Sequence, residues 1–106
     1  MAGPAFLDDA TLRTRLAALP AWSIDGAATV PTLVRTARFG GWLETIAFVN
    51  ALAWLCERED HHPDLAIGHG RATVRFTTHS AGGLTERDLA LATAADALLG
   101  DPPHRG

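Results

Sequence analysis

With 106 residues, 47% hydrophobic and 20% charged, the chain has the length and balance of one globular domain around one core. Its net charge of −3 and pI of about 5.9 argue against holding a nucleic-acid backbone or an anionic membrane surface, since both need a basic face. The single cysteine, Cys56, excludes an intrachain disulfide and points to a reducing compartment.

The first residues carry no basic segment and no long apolar run, so no secretory signal is expected. The most apolar stretch, from Trp42 to Cys56, holds Glu44 and Asn50 and is too short for a good membrane span. A soluble cytoplasmic protein without nucleic-acid or membrane partners is the expectation.

Residues 1–7 read as a loose arm. Asp8 or Asp9 suits a helix cap, because a short carboxylate accepts from free backbone N–H groups. Leu12, Leu16 and Leu19 follow at helical spacing, and Pro20 ends the run. Trp22, Ser23 and Ile24 read as a short strand, and Asp25-Gly26 as a turn. A second strand is expected over residues 32–39, although Arg35 falls in register with Leu33, Ala37 and Phe39.

Gly40-Gly41 precedes a long helix that runs to about His61. Trp42, Ile46, Val49, Ala53 and Cys56 are expected on one face, with Leu43, Phe48, Leu52 and Leu55 largely off it. Trp54 adds a third direction. A helix this apolar cannot be satisfied by one sheet face, so a homo-oligomer is expected. Pro63 disfavours helical geometry at His62, so the helix should end near His61 and the two imidazoles should diverge.

A hairpin is expected from residues 65–67 and 72–78 around Gly68-His69-Gly70. Ala72, Val74 and Phe76 face one way, and Arg71, Thr73, Arg75 and Thr77 the other. In a regular strand His79 would lie with Thr77. Thr85 then caps a last helix, with Asp88 completing a capping box. Leu89, Ala92 and Leu99 give that helix an apolar side, extended by Leu91, Ala95 and Leu98. Residues 100–106 read as a Pro/Gly tail, and neither a repeat nor a domain boundary is visible. The order helix, two strands, helix, two strands, helix predicts an α+β domain spanning 1–106. Its expected form is a four-stranded antiparallel sheet with three helices packed on one face.

Chemistry concentrates between Glu57 and Asp88. Four of the five histidines lie there: His61, His62, His69 and His79. Imidazole titrates near ~6.5 when free, so both protonation states are accessible at neutral pH. Expelling a hydroxyl as water while removing a proton elsewhere needs an acid and a base together, and imidazoles meeting in one cleft supply both. Chelating histidines on a helix are usually spaced H-x-x-x-H so that both face one way. Adjacent histidines diverge, and Cys56 reads as core, so no metal is expected.

Glu57, the His61-His62-Pro63 run, Thr78-His79 and the run from Gly83 to Asp88 resemble the pterin-4a-carbinolamine dehydratases. The resemblance extends upstream through Leu19-Pro20-Ala21-Trp22 and the strand around Val34, covering roughly residues 12–99. It implies the same α+β fold, and dimers or tetramers. It also implies a hydro-lyase that eliminates water from 4a-hydroxytetrahydrobiopterin to give quinonoid dihydropterin, without a cofactor, in tetrahydrobiopterin recycling beside an aromatic amino acid hydroxylase. By this likeness His61, His62 and His79 are the catalytic set. One of the first two protonates the leaving hydroxyl, and His79 is the opposing acid/base.

Glu57, Asp60, Thr77, Thr78, Asp88 and Trp22 are the expected substrate-binding residues. Glu57 or Asp60 orients an imidazole or accepts from the aminopyrimidine edge, and Trp22 covers a pterin face or packs in the core. The chain departs from the family where His69 and Leu65 replace aromatic residues. The resemblance also leaves open a non-catalytic coactivator or Rubisco-assembly type protein on the same fold.

Overall fold

Caps and turns cut the chain into seven main elements. The structure, a computed structural model, describes residues 6–100. The Asp8 side chain accepts from the Thr11 N–H at 2.8 Å and starts helix α1, Asp9–Leu16. That hydrogen bond holds the Asp8 carboxyl below its ordinary pKa. Strands β1, Ser23–Asp25, and β2, Thr32–Arg38, follow. Helix α2, Trp42–Arg58, leads to strands β3, Asp64–Gly68, and β4, Arg71–Phe76. A short 3₁₀ turn, His79–Ala81, precedes helix α3, Glu86–Leu98. The strands form one antiparallel sheet in the order β1-β2-β4-β3.

Side-chain alternation sends the two sheet faces to different solvents. Leu33, Ala37, Ala72, Val74 and Phe76 are buried in one cluster with Leu12 of α1, Phe48 and Leu52 of α2, and Leu89 and Ala92 of α3. The cross-strand pairs Leu33–Phe76 and Ala37–Ala72 keep this set in register. The opposite face is polar: Thr36 and Thr73 share a hydroxyl hydrogen bond of 2.8 Å, and Arg75 donates to Asp25 at 2.6 Å. That guanidinium is the main reason the Asp25 carboxyl lies below its ordinary pKa. Among the described residues no helix is long and apolar enough to cross a membrane.

Four local expectations need correction. The buried stripe of α2 is Thr45, Phe48, Leu52 and Cys56, whereas Trp42 and Ala53 are exposed. Several apolar stripes compete on this helix, and packing against the sheet and α3 selects the one that carries Phe48 and Leu52. The regular part of α2 stops at Arg58, three residues before His61. Of the expected loose arm, residues 1–5 lie outside the described part, as do residues 101–106 of the tail. Leu7, though, donates to the Leu84 carbonyl at 2.7 Å and packs on the core. Finally, β4 ends at Phe76 and does not continue to His79.

Arg35 has a physical reason to be on the apolar face. Its guanidinium donates to Asp96 of α3 at 2.5 Å, and the Trp22 indole N–H donates to the same carboxylate oxygen at 2.8 Å. A buried charge is tolerable when it is paired and hydrogen-bonded in this way.

Leu52→Ala should lower unfolding free energy by about 2–5 kcal/mol. Ala53→Ser, one residue on, should change it by less than about 0.5 kcal/mol. Urea titration of both variants checks which stripe is core. Burial pushes the Cys56 thiol up to about 11, so it holds little thiolate near neutrality. Iodoacetamide at pH 8 should therefore leave Cys56 unmodified in the folded protein and alkylate it rapidly in urea, as mass spectrometry would read.

Candidate active site

The end of α2 is built to turn two neighbouring side chains apart. Glu59 is the C-cap and Asp60 follows with φ of 49°. The Asp60 N–H donates to the Glu57 carbonyl at 3.1 Å, and the His61 N–H reaches back to Cys56 at 3.0 Å. This is the paired closure in which glycine usually takes the left-handed position. An aspartate there is strained by about 1–2 kcal/mol. Arg87 of α3 braces the turn, donating to the carbonyls of Glu59 at 2.6 Å and Asp60 at 2.9 Å. Those carbonyls belong to the helix end and its turn, where intrahelical donors run out. Pro63 then holds His62 extended. His61 consequently turns inward and is buried, while His62 stays exposed.

The inward imidazole meets a carboxylate with no solvent access. His61 Nε2 lies 2.6 Å from Asp88 Oδ1, and Asp88 is 0% exposed. The other oxygen, Oδ2, accepts from the Thr78 hydroxyl at 2.7 Å and from the Thr85 N–H at 2.9 Å. Thr85 and Asp88 form the expected capping box of α3. The Thr78 and Thr85 hydroxyls are 2.9 Å apart. A carboxylate only accepts, so Nε2 of His61 donates and Nδ1 remains for another partner. Below it, the Phe76 ring lies nearly parallel to the imidazole, with centroids 6.3 Å apart.

The outward imidazole has its own acid. His62 Nε2 lies 2.7 Å from Glu57 Oε1, and both residues are exposed. They border an open cavity of about 650 Å³ whose other walls include Asn50, Trp54, Pro63 and Leu65. His61 opens instead toward a smaller space of about 220 Å³ between α2 and α3, beside Arg58 and Arg87. The two rings therefore diverge onto two sides of the α2 terminus. His79 is exposed at the start of the 3₁₀ turn. It follows Thr78, whose hydroxyl belongs to the Asp88 cluster.

Sequence reasoning singled out nine residues, and the structure joins five of them in two groups. His61, Asp88 and Thr78 share one hydrogen-bonded cluster, and His62 and Glu57 form a second pair. Thr77 donates its hydroxyl to the Pro31 carbonyl at 2.7 Å. Asp60 shapes the turn through its backbone. Trp22 is buried and packs on Phe76 with centroids 5.9 Å apart, so Phe76 touches both Trp22 and His61. Arg87 and Phe76 were missed as site supports. A helix stopping before Pro63 with no glycine to cap it was the available signal for a bracing cation.

The family model described as pterin 4 alpha carbinolamine dehydratase matches residues 5–98. The chain belongs to the pterin-4α-carbinolamine dehydratase family. A Chromobacterium violaceum protein provisionally named as such a dehydratase is 46% identical over 100 residues, covering 94% of this chain and 89% of the relative. A similarly named protein of Stenotrophomonas maltophilia strain K279a is 45% identical over 97 residues, covering 92% and 82%. Among solved structures, a transcriptional coactivator/pterin dehydratase from Brucella melitensis superposes with a TM-score of 0.82. It is 27% identical, over 88% of this chain and 97% of that one. A pterin dehydratase-like RuBisCO assembly factor of the alpha-carboxysome superposes with a TM-score of 0.66 at 29% identity, over 77% and 93%.

Within this family fold the Asp88 cluster ties three elements together. Asp88→Ala would leave the Thr85 N–H and the His61 ring without their buried partner, and should cost about 2–4 kcal/mol in urea unfolding. Arg87→Ala should cost less. Its signature would be faster amide exchange at His61, with the α3 amides from Leu89 onward unchanged.

Proposed function

We propose that this protein is a 4a-hydroxytetrahydrobiopterin dehydratase in which His61, His62 and His79 carry the protons. The observation that supports this best is the pairing of each adjacent imidazole with its own carboxylate, in a chain of this family. The reaction breaks the C4a–OH bond. A proton joins the departing oxygen to make water, and a ring N–H proton is lost, leaving quinonoid dihydropterin. An imidazole of the helix-end pair supplies the first proton, and His79 is the opposing acid/base. No external oxidant or reductant enters the balance.

The remaining residues bind and orient. Asp88 holds the His61 ring in one tautomer and one tilt, which is pre-organisation ahead of the transition state. Glu57 does the same for His62 or accepts from the aminopyrimidine edge, and Asp60 contributes from the same turn. The Thr77 backbone pairs with the flat pterin edge in this reading, its hydroxyl being held by the Pro31 carbonyl, whereas Thr78, whose backbone is bound to Gly83 and Ala81, lines the site by holding Asp88 through its hydroxyl. Trp22 acts through Phe76, fixing the floor beneath His61. In this reading the protein works in tetrahydrobiopterin recycling, in the cytoplasm, downstream of an aromatic amino acid hydroxylase.

A homodimer or homotetramer is part of the same reading. Leu43 is 81% and Trp54 79% exposed on α2, more apolar surface than a lone domain gains from showing to water. The second reading is an interaction or assembly protein on this fold, favoured by the likeness to the RuBisCO assembly factor.

The two readings separate in one assay. Freshly generated 4a-hydroxytetrahydrobiopterin should dehydrate faster with the protein than in buffer, followed by absorbance of the quinonoid product. His61→Ala, His62→Ala and His79→Ala should each lower the rate by about 10²-fold or more. No acceleration would favour the assembly reading, and full activity in all three variants would remove the site assignment. Light scattering should give a mass of two or four chains.

A further inference from the structure

The end of the sheet farthest from His61 and His62 carries charge that the dehydratase reading does not use. Arg38 of β2 and Arg71 of β4 are direct cross-strand partners on the open face, and both are exposed. One step further, the Phe39 N–H donates to the Gly70 carbonyl at 2.8 Å. Ladder alternation therefore puts Arg38 and Arg71 at a non-hydrogen-bonded position, where opposed side chains approach most closely. Like charges placed so repel each other. Among the described residues neither has an acid partner.

While Glu44 of α2, which borders a cavity with Arg38, accepts from the Gly40 N–H, the sheet's own acids on this face lie at its other end. There Arg75 donates to Asp25 and stands across the ladder from Asp64. The positive end is thus a local reversal in a chain of net charge −3. Its geometry is also held open. The Arg71 guanidinium lies back over Gly68, its β3 partner, and a Cβ at Gly68 would stand 2.5 Å from it. Next along the same face come the Thr36 and Thr73 hydroxyls, and the exposed His69 occupies the hairpin turn.

We propose that this end of the open sheet face docks an acidic segment of a partner protein. Charge complementarity selects the occupant: a carboxylate brought between the two guanidinium groups pairs with both and relieves their repulsion. The surface runs across the two central strands, β2 and β4. An extended segment laid along β4 would present alternate side chains about 6.6–6.8 Å apart, matching the spacing of Arg71 and Thr73. A nucleic acid fits less well, because it draws its affinity from many phosphate contacts and this end supplies two arginines. The docking end is about 13 Å of strand from Asp64, where β3 leaves the histidine turn, so it acts independently of the histidines.

The test is fluorescence anisotropy of the full chain with a short labelled peptide of alternating Glu and Thr at low salt. A Lys/Thr peptide and a single-stranded oligonucleotide serve as comparison probes. The Glu/Thr peptide should bind, and Arg38→Ala or Arg71→Ala should each weaken it by about tenfold. Gly68→Ala, which keeps every charge but displaces the Arg71 guanidinium, should weaken it too. Arg13→Ala, on α1, should not. Removing either arginine should leave the melting temperature equal or higher and the dehydration rate unchanged. Equal binding by all variants would overturn the proposal, as would tighter binding of the oligonucleotide through the same arginines. A loss of oligomer mass in Arg71→Ala would also overturn it, assigning the face to a second copy.

Discussion

A carboxylate removed from water is a liability unless donors surround it, and Asp88 is completely enclosed. Its donors come from three places: the segment just after β4 through Thr78, the N-cap of α3 through Thr85, and the turn that closes α2 through His61. None of these elements can move away without stranding the charge. The same hydrogen bonds that make the fold tolerable therefore set the position of an imidazole. Among the described residues no buried side-chain nitrogen or oxygen is left without a partner. The cluster is fully satisfied, which is the condition under which a buried polar network rigidifies a core.

Much of this architecture is legible in the sequence itself. Turn residues, caps and alternation gave the element order and the single antiparallel sheet, because Asp8, Gly26, Pro63 and Thr85 each act through local chemistry. The capping box was legible for the same reason: Thr85 and Asp88 are three residues apart. The rotation of α2 was not. Leu43, Phe48, Leu52, Leu55 and Trp54 surround that helix with apolar surface, and only packing against the sheet decides which stripe is inside. The end of β4 was likewise invisible, because the 3₁₀ turn at His79 depends on the Thr78–Gly83 bridge.

Long-range partners account for the rest of what was missed. Arg35 spoils an otherwise apolar strand face, and its explanation, Asp96, lies 61 positions away. Arg87 reads as an ordinary first-turn arginine of α3, yet it reaches the carbonyls at the end of α2. Such contacts leave no periodic trace. The adjacent histidines were different: Pro63 restricts His62 directly, so their divergence follows from two neighbouring residues.

Helix α3 is fastened at both ends by carboxylates of opposite duty. Asp88 near its start receives His61, and Asp96 near its end receives Arg35 and the Trp22 indole. A rod pinned twice cannot roll. Any screw motion that withdrew Asp88 from the imidazole would also tear Asp96 from the sheet, so His61 inherits the stiffness of the entire helix–sheet sandwich, and its hinge-like freedom is forfeited to that alignment.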